Sequence, residues 1–356
     1  MPLRCACHTG PVSKQPFTAT LAPDSPQTDY NRNQPTKVRH RGQLKLLLSE
    51  MAFLQPYRSV PHVVVYAGAA PGLHVPILAG MFPYMRFILI DPHPSAIADG
   101  QLPNVVTLEV RMTDQMAEEM GNRYADSPLL FISDVRVGIP IEEEPTEASH
   151  DHQTRVHRDM VAQMGWYRRL RPRAGLLKFR LPWDLETNTN YLSGTILFPI
   201  FGRPFTHEAR LVVQGPDPPI TTYNNTTYER QMAYFNRVTR PATYTGGKCY
   251  DCTAFAAVVA EHMGLQPRAQ PVYVECRRIE KELALITAEW GKVKEKEGHA
   301  RNKRPTPSLS TTTTPPNRPT NGGHSRAPRT GTRLVSVEEE EEEGMDQQHC
   351  EMMMAL

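Results

Sequence analysis

Four charged residues stand where apolar runs should exclude charge. Lys45 interrupts QLKLLL, Asp134 directly follows LLFIS, Lys178 lies inside LLKFRL, and Glu208 opens EARLVV. Buried or half-buried charges are costly unless they are paired. Two lysines and two carboxylates brought together satisfy one another, and a second cation beside a lysine pushes that amine's pKa down. An amine that is neutral near pH 7 is a competent general base for a ribose hydroxyl. Taken singly, each of these residues also reads as a surface or snorkelling charge. Taken as four, in strand order, they point to proton transfer.

A second constellation lies in VVVYAGAAPGLHV. Gly68 and Gly72 bracket a tight strand-to-helix turn, where a side chain would block close approach of a ligand. Asp91, in ILIDPH, follows Gly72 by 19 residues and ends the next apolar run. In doubly wound folds an acid at that point accepts hydrogen bonds from ribose hydroxyls, so the spacing fits an adenosine-containing ligand. G-A-A-P-G is not the G-x-G-x-x-G of dinucleotide sites, and the looser turn suits S-adenosylmethionine better than a nicotinamide dinucleotide. The plainer alternative is that the glycines end a strand and Asp91 caps a turn. Cys249-x-x-Cys252 and Cys5-x-Cys7 are the close cysteine pairs. A structural zinc needs four ligands, no second C-x-x-C appears, and no metal is expected.

These residues need elements to hold them. Residues 41–54 are rich in helix formers with apolar positions on one side. Strand-length apolar runs follow at 63–67, 86–91, 105–110, 128–133, 176–181, 195–201 and 208–214, separated by helical segments at 113–124 and 152–170. Alternation of this kind predicts βαβ units and a mostly parallel sheet covered on both faces. Helical patterns return after residue 225. The organisation expected is a flexible arm over 1–39, one α/β domain over 40–265, a helix over 266–298 and a disordered tail over 299–356. The tail runs through PTPSLSTTTTPP into the glutamates Glu338–Glu343, a composition that cannot bury enough apolar surface to offset ordering. No apolar run reaches the roughly 18 residues of a membrane helix, and no secretory leader is expected. Six cysteines in 356 residues make no disulfide scaffold.

The net charge of +2 excludes a generally basic protein, but basic residues are concentrated. Residues 1–60 carry eight Lys/Arg against three acids. Between residues 160 and 183 stand Arg168, Arg169, Arg171, Arg173, Lys178 and Arg180, with no acid. Together these predict an electrostatic track for an RNA backbone near the site. A helix end complementing its own dipole would account for Arg168 and Arg169 alone.

GQLKLLLSE, VVYAGAAPGLHV, FILID, LFISDVR, LLKFR and HEARLV resemble the poxvirus cap-specific mRNA (nucleoside-2′-O-)-methyltransferase family, whose members double as the small regulatory subunit of the poly(A) polymerase. The likeness runs from about Gly42 to Asn236 with the motifs in the same order. It implies a Rossmann-like, S-adenosylmethionine-dependent methyltransferase fold and a catalytic set of Lys45, Asp134, Lys178 and Glu208, with Lys178 as base. It places Gln43, Tyr66, Gly68, Gly72 and Asp91 on the cofactor. His93 and Thr113 fall at two further cofactor positions where the family carries an arginine and a valine. A positively charged 7-methylguanine is held best between two aromatic faces. The resemblance supplies Trp183 for one face, with Tyr30 from the arm as the other candidate. Asp184, Phe205 and Glu229 fall on further cap-pocket positions, with Arg180 and Arg210 toward the RNA. Capped mRNA as substrate, a viral poly(A) polymerase catalytic subunit as heterodimer partner, and residence in the virion and host cytoplasm without a membrane are further implications. The rival reading is a catalytically idle RNA-binding processivity factor. The retained four charges favour activity, because a scaffold has no need of them. A nicotinamide dehydrogenase is disfavoured by the turn.

Overall fold

The apolar runs become buried strands. In chain order the elements are β1 (Thr20–Leu21), α1 (Gly42–Leu54), β2 (His62–Ala67), α2 (Val75–Met81), β3 (Met85–Ile90), β4 (Val105–Leu108), α3 (Asp114–Arg123) and β5 (Leu129–Ser133). They continue with α4 (His150–Leu170), β6 (Ala174–Phe179), β7 (Asn188–Leu192), β8 (Thr195–Leu197), β9 (Ala209–Gln214), β10 (Ile220–Asn224) and α5 (Asn225–Tyr234). Last come β11 (Thr243–Tyr244), β12 (Lys248–Cys249), α6 (Tyr250–Met263) and α7 (Gln270–Asn302). The computed structural model describes residues 12–30, 41–98, 100–135, 150–183, 187–244 and 246–302. It divides into two compact units, Met1–Trp290 and Gly291–Leu356, and the sheet belongs to the first.

Eight strands form one sheet in the order β1-β8-β9-β6-β5-β2-β3-β4. The five from β6 to β4 are parallel, and β9, β8 and β1 extend one edge antiparallel. Val64, Val65, Phe87, Ile88, Leu130 and Phe131 are fully buried, as parallel strands with helices on both faces require. Right-handed crossovers through α2 and through α4 leave the centre in opposite directions, so those helices cover opposite faces. α1 packs on α2 and α6, and α3 packs on α4. Strand order reverses between β2 and β5, which opens a ligand crevice at their carboxyl ends. This is the mostly parallel α/β sheet that the alternation predicts.

Two expectations change. The described part of the N-terminal arm is tied down. Thr20–Leu21 pair with Ile196–Leu197, Phe17 stacks on Tyr250 with centroids 5.1 Å apart, and Gln231 Nε2 donates to Pro23 O. Its few apolar side chains dock one by one, so no periodicity announces them. β7 and β10 form a separate two-stranded ribbon that no apolar run marks, because its strands are polar and partly exposed. The proline-rich segment, the glutamate run, Cys5 and Cys7 lie outside the described residues. Among the described residues no helix is long and apolar enough to cross a membrane.

Candidate active site

β6 and β9 pair antiparallel with Lys178 opposite Arg210, so the end of β6 and the start of β9 meet at the carboxyl edge of the parallel strands. Glu208 immediately precedes β9, and period-2 alternation puts it on the same face as Arg210. Asp134 follows β5, its N–H donating to Ala67 O at 3.0 Å. Lys45 comes from the first turn of α1, whose Leu44, Leu47, Leu48 and Met51 anchor the helix in the core. The four residues singled out in the sequence therefore converge. Lys178 Nζ lies 2.9 Å from Asp134 Oδ1 and 3.7 Å from Glu208 Oε2, and Lys45 Nζ is ion-paired with Glu208 Oε1.

Arg210 makes a fifth member. Its Nη2 is 2.7 Å from Asp134 Oδ1 and 3.4 Å from Glu208 Oε1. The sequence places Arg210 toward the RNA, but the structure buries it within the charged cluster. Like charges directly across a ladder repel, so Lys178 and Arg210 are tolerated opposite each other only with the two carboxylates between them. All five side chains are 5–17% exposed. Burial alone would raise the pKa of Asp134. Arg210, Lys178 and Lys45 together outweigh that and the opposing charge of Glu208, and hold its carboxyl well below the usual range. Burial works against the charge on Arg210, but Asp134 and Glu208 raise its pKa further. Three cations thus face two carboxylates.

Gly68 fixes where Asp134 stands. Its φ is +78°, and a Cβ there would lie 2.7 Å from Val135 N and 2.8 Å from the Asp134 carbonyl carbon. The constraint on Gly68 is therefore the crossing chain after β5, where the sequence suggested room for a ligand. Gly72 has φ +67° and carries the turn into α2.

Asp91 is half exposed at the end of β3. Its Oδ2 accepts from Ala70 N–H at 3.2 Å and its Oδ1 from His93 N–H at 2.9 Å. The turn-capping role is thus present in the geometry, and each oxygen keeps a second lone pair for a further donor. His93 is exposed beside it. Thr113 is the N-cap of α3, its hydroxyl accepting from Met116 N–H at 3.1 Å. Tyr66 and Gln43 are joined through two residues that the sequence reading missed. The Tyr66 hydroxyl donates to Glu50 Oε1 at 2.7 Å, Glu50 Oε2 lies 2.9 Å from His74 Nε2, and His74 Nδ1 lies 2.9 Å from Gln43 Oε1. Burial first, then the charges of Glu50 and Asp134, raise the Tyr66 pKa well above its ordinary value, so the phenol stays a donor. The available signal was an acid seven residues after Gln43, two turns along the same helix face.

The aromatic residues also gather. Tyr30 lies 5.6 Å from Trp183 and 6.3 Å from Phe205, centroid to centroid. His207, absent from the sequence reading, stands 4.6 Å from both Tyr30 and Trp183. The Arg180 guanidinium covers Trp183 at 4.9 Å and its Nη1 is 2.7 Å from His152 Nε2. Tyr30 and Trp183 are inclined at 57°, so the parallel sandwich expected for a methylated guanine is not the geometry here. Phe205 has φ +59° in a loop held by Arg240, which donates to Gly202 O and Arg203 O and pairs with Asp251. Glu229 is half-buried on α5, whose Tyr228 hydroxyl donates to His207 O. Asp184 lies outside the described residues.

The basic run does not form one track. Arg168, Arg169, Arg171 and Arg173 lie at the end of α4 and before β6, on the amino side of the sheet. Lys178 is five residues further along the strand, roughly 16 Å at the rise of an extended chain. Alternation in sequence conceals that a strand carries its two ends to opposite edges.

The family model for the poly A polymerase regulatory subunit matches residues 17–251, a span that takes in all five members of the charged cluster. The chain belongs to this family. A cap-specific mRNA (nucleoside-2′-O-)-methyltransferase of fowlpox virus (strain NVSL) is 30% identical over 238 residues, 60% of this chain and 74% of that protein. Proteins of the same name from myxoma virus (strains Lausanne and Uriarra) are 28% identical over 222 residues, 58% of this chain. The chain spans 63% of the length of these myxoma relatives. A solved structure of a mutant MtNAS is 14% identical over 48% of this chain and 59% of that one, with a TM-score of 0.24, a likeness too remote to bear on the site.

Proposed function

We propose that this family member transfers a methyl group from S-adenosylmethionine to the 2′-hydroxyl of the first transcribed nucleotide of capped mRNA. The observation that carries the reading is the Lys178 amine, held between Asp134 and Glu208 at the carboxyl edge and flanked by two further cations. The residues present fit the cofactor. The glycine turn opens at the switch point beside a half-exposed Asp91 with lone pairs to spare. Asp91 would hold the ribose hydroxyls, and Gln43 and the turn around Gly68 and Gly72 the remainder. When bound, the cofactor supplies an electrophilic methyl group and its own leaving group.

Lys178 takes the proton of the ribose 2′-hydroxyl. Asp134 and Glu208 fix the direction of its amine toward that hydroxyl. Lys45 and Arg210 hold both carboxylates in place. Trp183, Tyr30, Phe205 and His207 supply the apolar surface for the cap, with Glu229 nearby on α5. The names of the viral relatives support this assignment, and the family description supports a polymerase catalytic subunit as partner; residence in the virion and host cytoplasm is proposed with it. Methyl transfer to capped and uncapped RNA of the same sequence tests the reading. Transfer confined to capped RNA supports it, and no transfer to either favours the idle processivity factor.

A further inference from the structure

One motif from the sequence remains outside the proposed reaction. Cys249 is the residue before α6, with φ −69° and ψ 173°, and Cys252 falls in the first turn of that helix. Cys249 is buried completely, and Cys252 packs against it and is partly exposed. The Cys249 sulfur meets the S–H of Cys252 and the backbone N–H groups of Cys252 and Asp251. A thiol at a helix N-terminus, three residues from a second thiol in C-x-x-C spacing, is the arrangement that favours a thiolate and its exchange with disulfides. Among the described residues no group of three or more His, Cys, Asp or Glu could hold a metal, so a metal cage does not compete for these sulfurs there. We propose that Cys249 and Cys252 form a redox-active dithiol that closes to an intramolecular disulfide.

The direction of the acidities suits Cys249 as the resolving sulfur. Donation by the Cys252 S–H is the largest influence lowering the Cys249 pKa, against burial, while the same contact and burial raise that of Cys252. Exchange begins at Cys252, the sulfur that solvent reaches. Its proton goes to solvent base, and the Cys252 sulfur attacks one sulfur of oxidised glutathione, expelling one glutathione thiolate. Cys249 then gives up its proton and displaces the second glutathione from Cys252. The two cysteines lose two electrons and two protons, and one small-molecule disulfide becomes two thiols. The location matters because Asp251, between the two cysteines, accepts from Phe201 N–H at 2.9 Å and pairs with Arg240 at 3.1 Å. The turn that would carry the disulfide therefore also anchors the loop leading to Phe205 and Glu208.

The test is equilibration of the full chain in glutathione buffers of graded ratio, acid quenching, thiol labelling and mass analysis of the tryptic peptide Cys249–Arg268, which contains both cysteines and no other. The proposal predicts one reversible transition, with the oxidised peptide lighter by two hydrogens and no glutathione adduct accumulating. In Cys249→Ser the adduct should accumulate on Cys252 at least tenfold over wild type, because nothing displaces it. Cys252→Ser should leave Cys249 unmodified, since it is buried. A wild-type peptide that stays reduced in excess oxidised glutathione, or that accumulates the adduct as Cys249→Ser does, would overturn the proposal.

Discussion

At the scale of single residues, the cluster is a balance in which each charge depends on its neighbours. Removing Arg210 leaves Asp134 buried with less compensation, so Arg210→Met should cost about 3–5 kcal/mol of stability, the range for breaking a buried pair. Denaturant unfolding measures this, and a loss under about 1 kcal/mol would show that Arg210 is dispensable. Asp134 also gives a pH test. A carboxyl whose folded-state pKa is depressed contributes stability that is fully present above its unfolded pKa of about 3.9 and is lost as pH falls toward the folded value. The stability difference between wild type and Asp134→Asn should therefore hold from neutral pH down to about 5 and shrink below about 4. Spacing alone marks Asp91 as a candidate for the cofactor ribose, and the structure shows its carboxylate bridging two backbone N–H groups. Asp91→Ala should weaken S-adenosylmethionine by roughly 1.5–3 kcal/mol, the scale of hydrogen bonds to a charged group. Unchanged affinity in calorimetry would leave only the turn-capping role.

Among the elements, the strands and helices that carry the cluster were legible because apolar runs and their alternation are local properties. Pairing across the sheet was not. Nothing in LLKFRL or EARLVV says that Lys178 faces Arg210, and only the antiparallel addition of β9 makes them neighbours. The basic run misled for the same reason, since β6 separates Arg173 from Lys178. Gly68 shows the limit most clearly, because its constraint comes from Asp134 and Val135, far along the chain. Gly68→Ala would combine a positive φ with a collision against backbone, so it should cost more than about 1 kcal/mol and displace Asp134. Thermal or chemical unfolding with a parallel transfer assay checks both effects. Full stability and activity would mean that the turn relaxes without consequence.

In the whole molecule, a charged cluster, a glycine turn with its aspartate, and an aromatic cluster lie along one edge of a single sheet. The family match covers all three, and their order along the chain was readable because each sits in its own short motif. The inclination of Tyr30 to Trp183 and the insertion of His207 were not readable, because they arise where the arm, the loop before β9 and the segment after β6 meet. The central claim is that Lys178 acts on the ribose hydroxyl and does not serve to bind the cofactor. It is tested most directly by Lys178→Met, with methyl transfer to capped RNA and S-adenosylmethionine affinity measured on the same preparation. The account predicts a loss of transfer of about 10²–10⁴-fold, the effect of removing a positioned base, with cofactor affinity unchanged. Retention of more than roughly a tenth of the activity, or a loss of transfer explained entirely by lost cofactor binding, would contradict it.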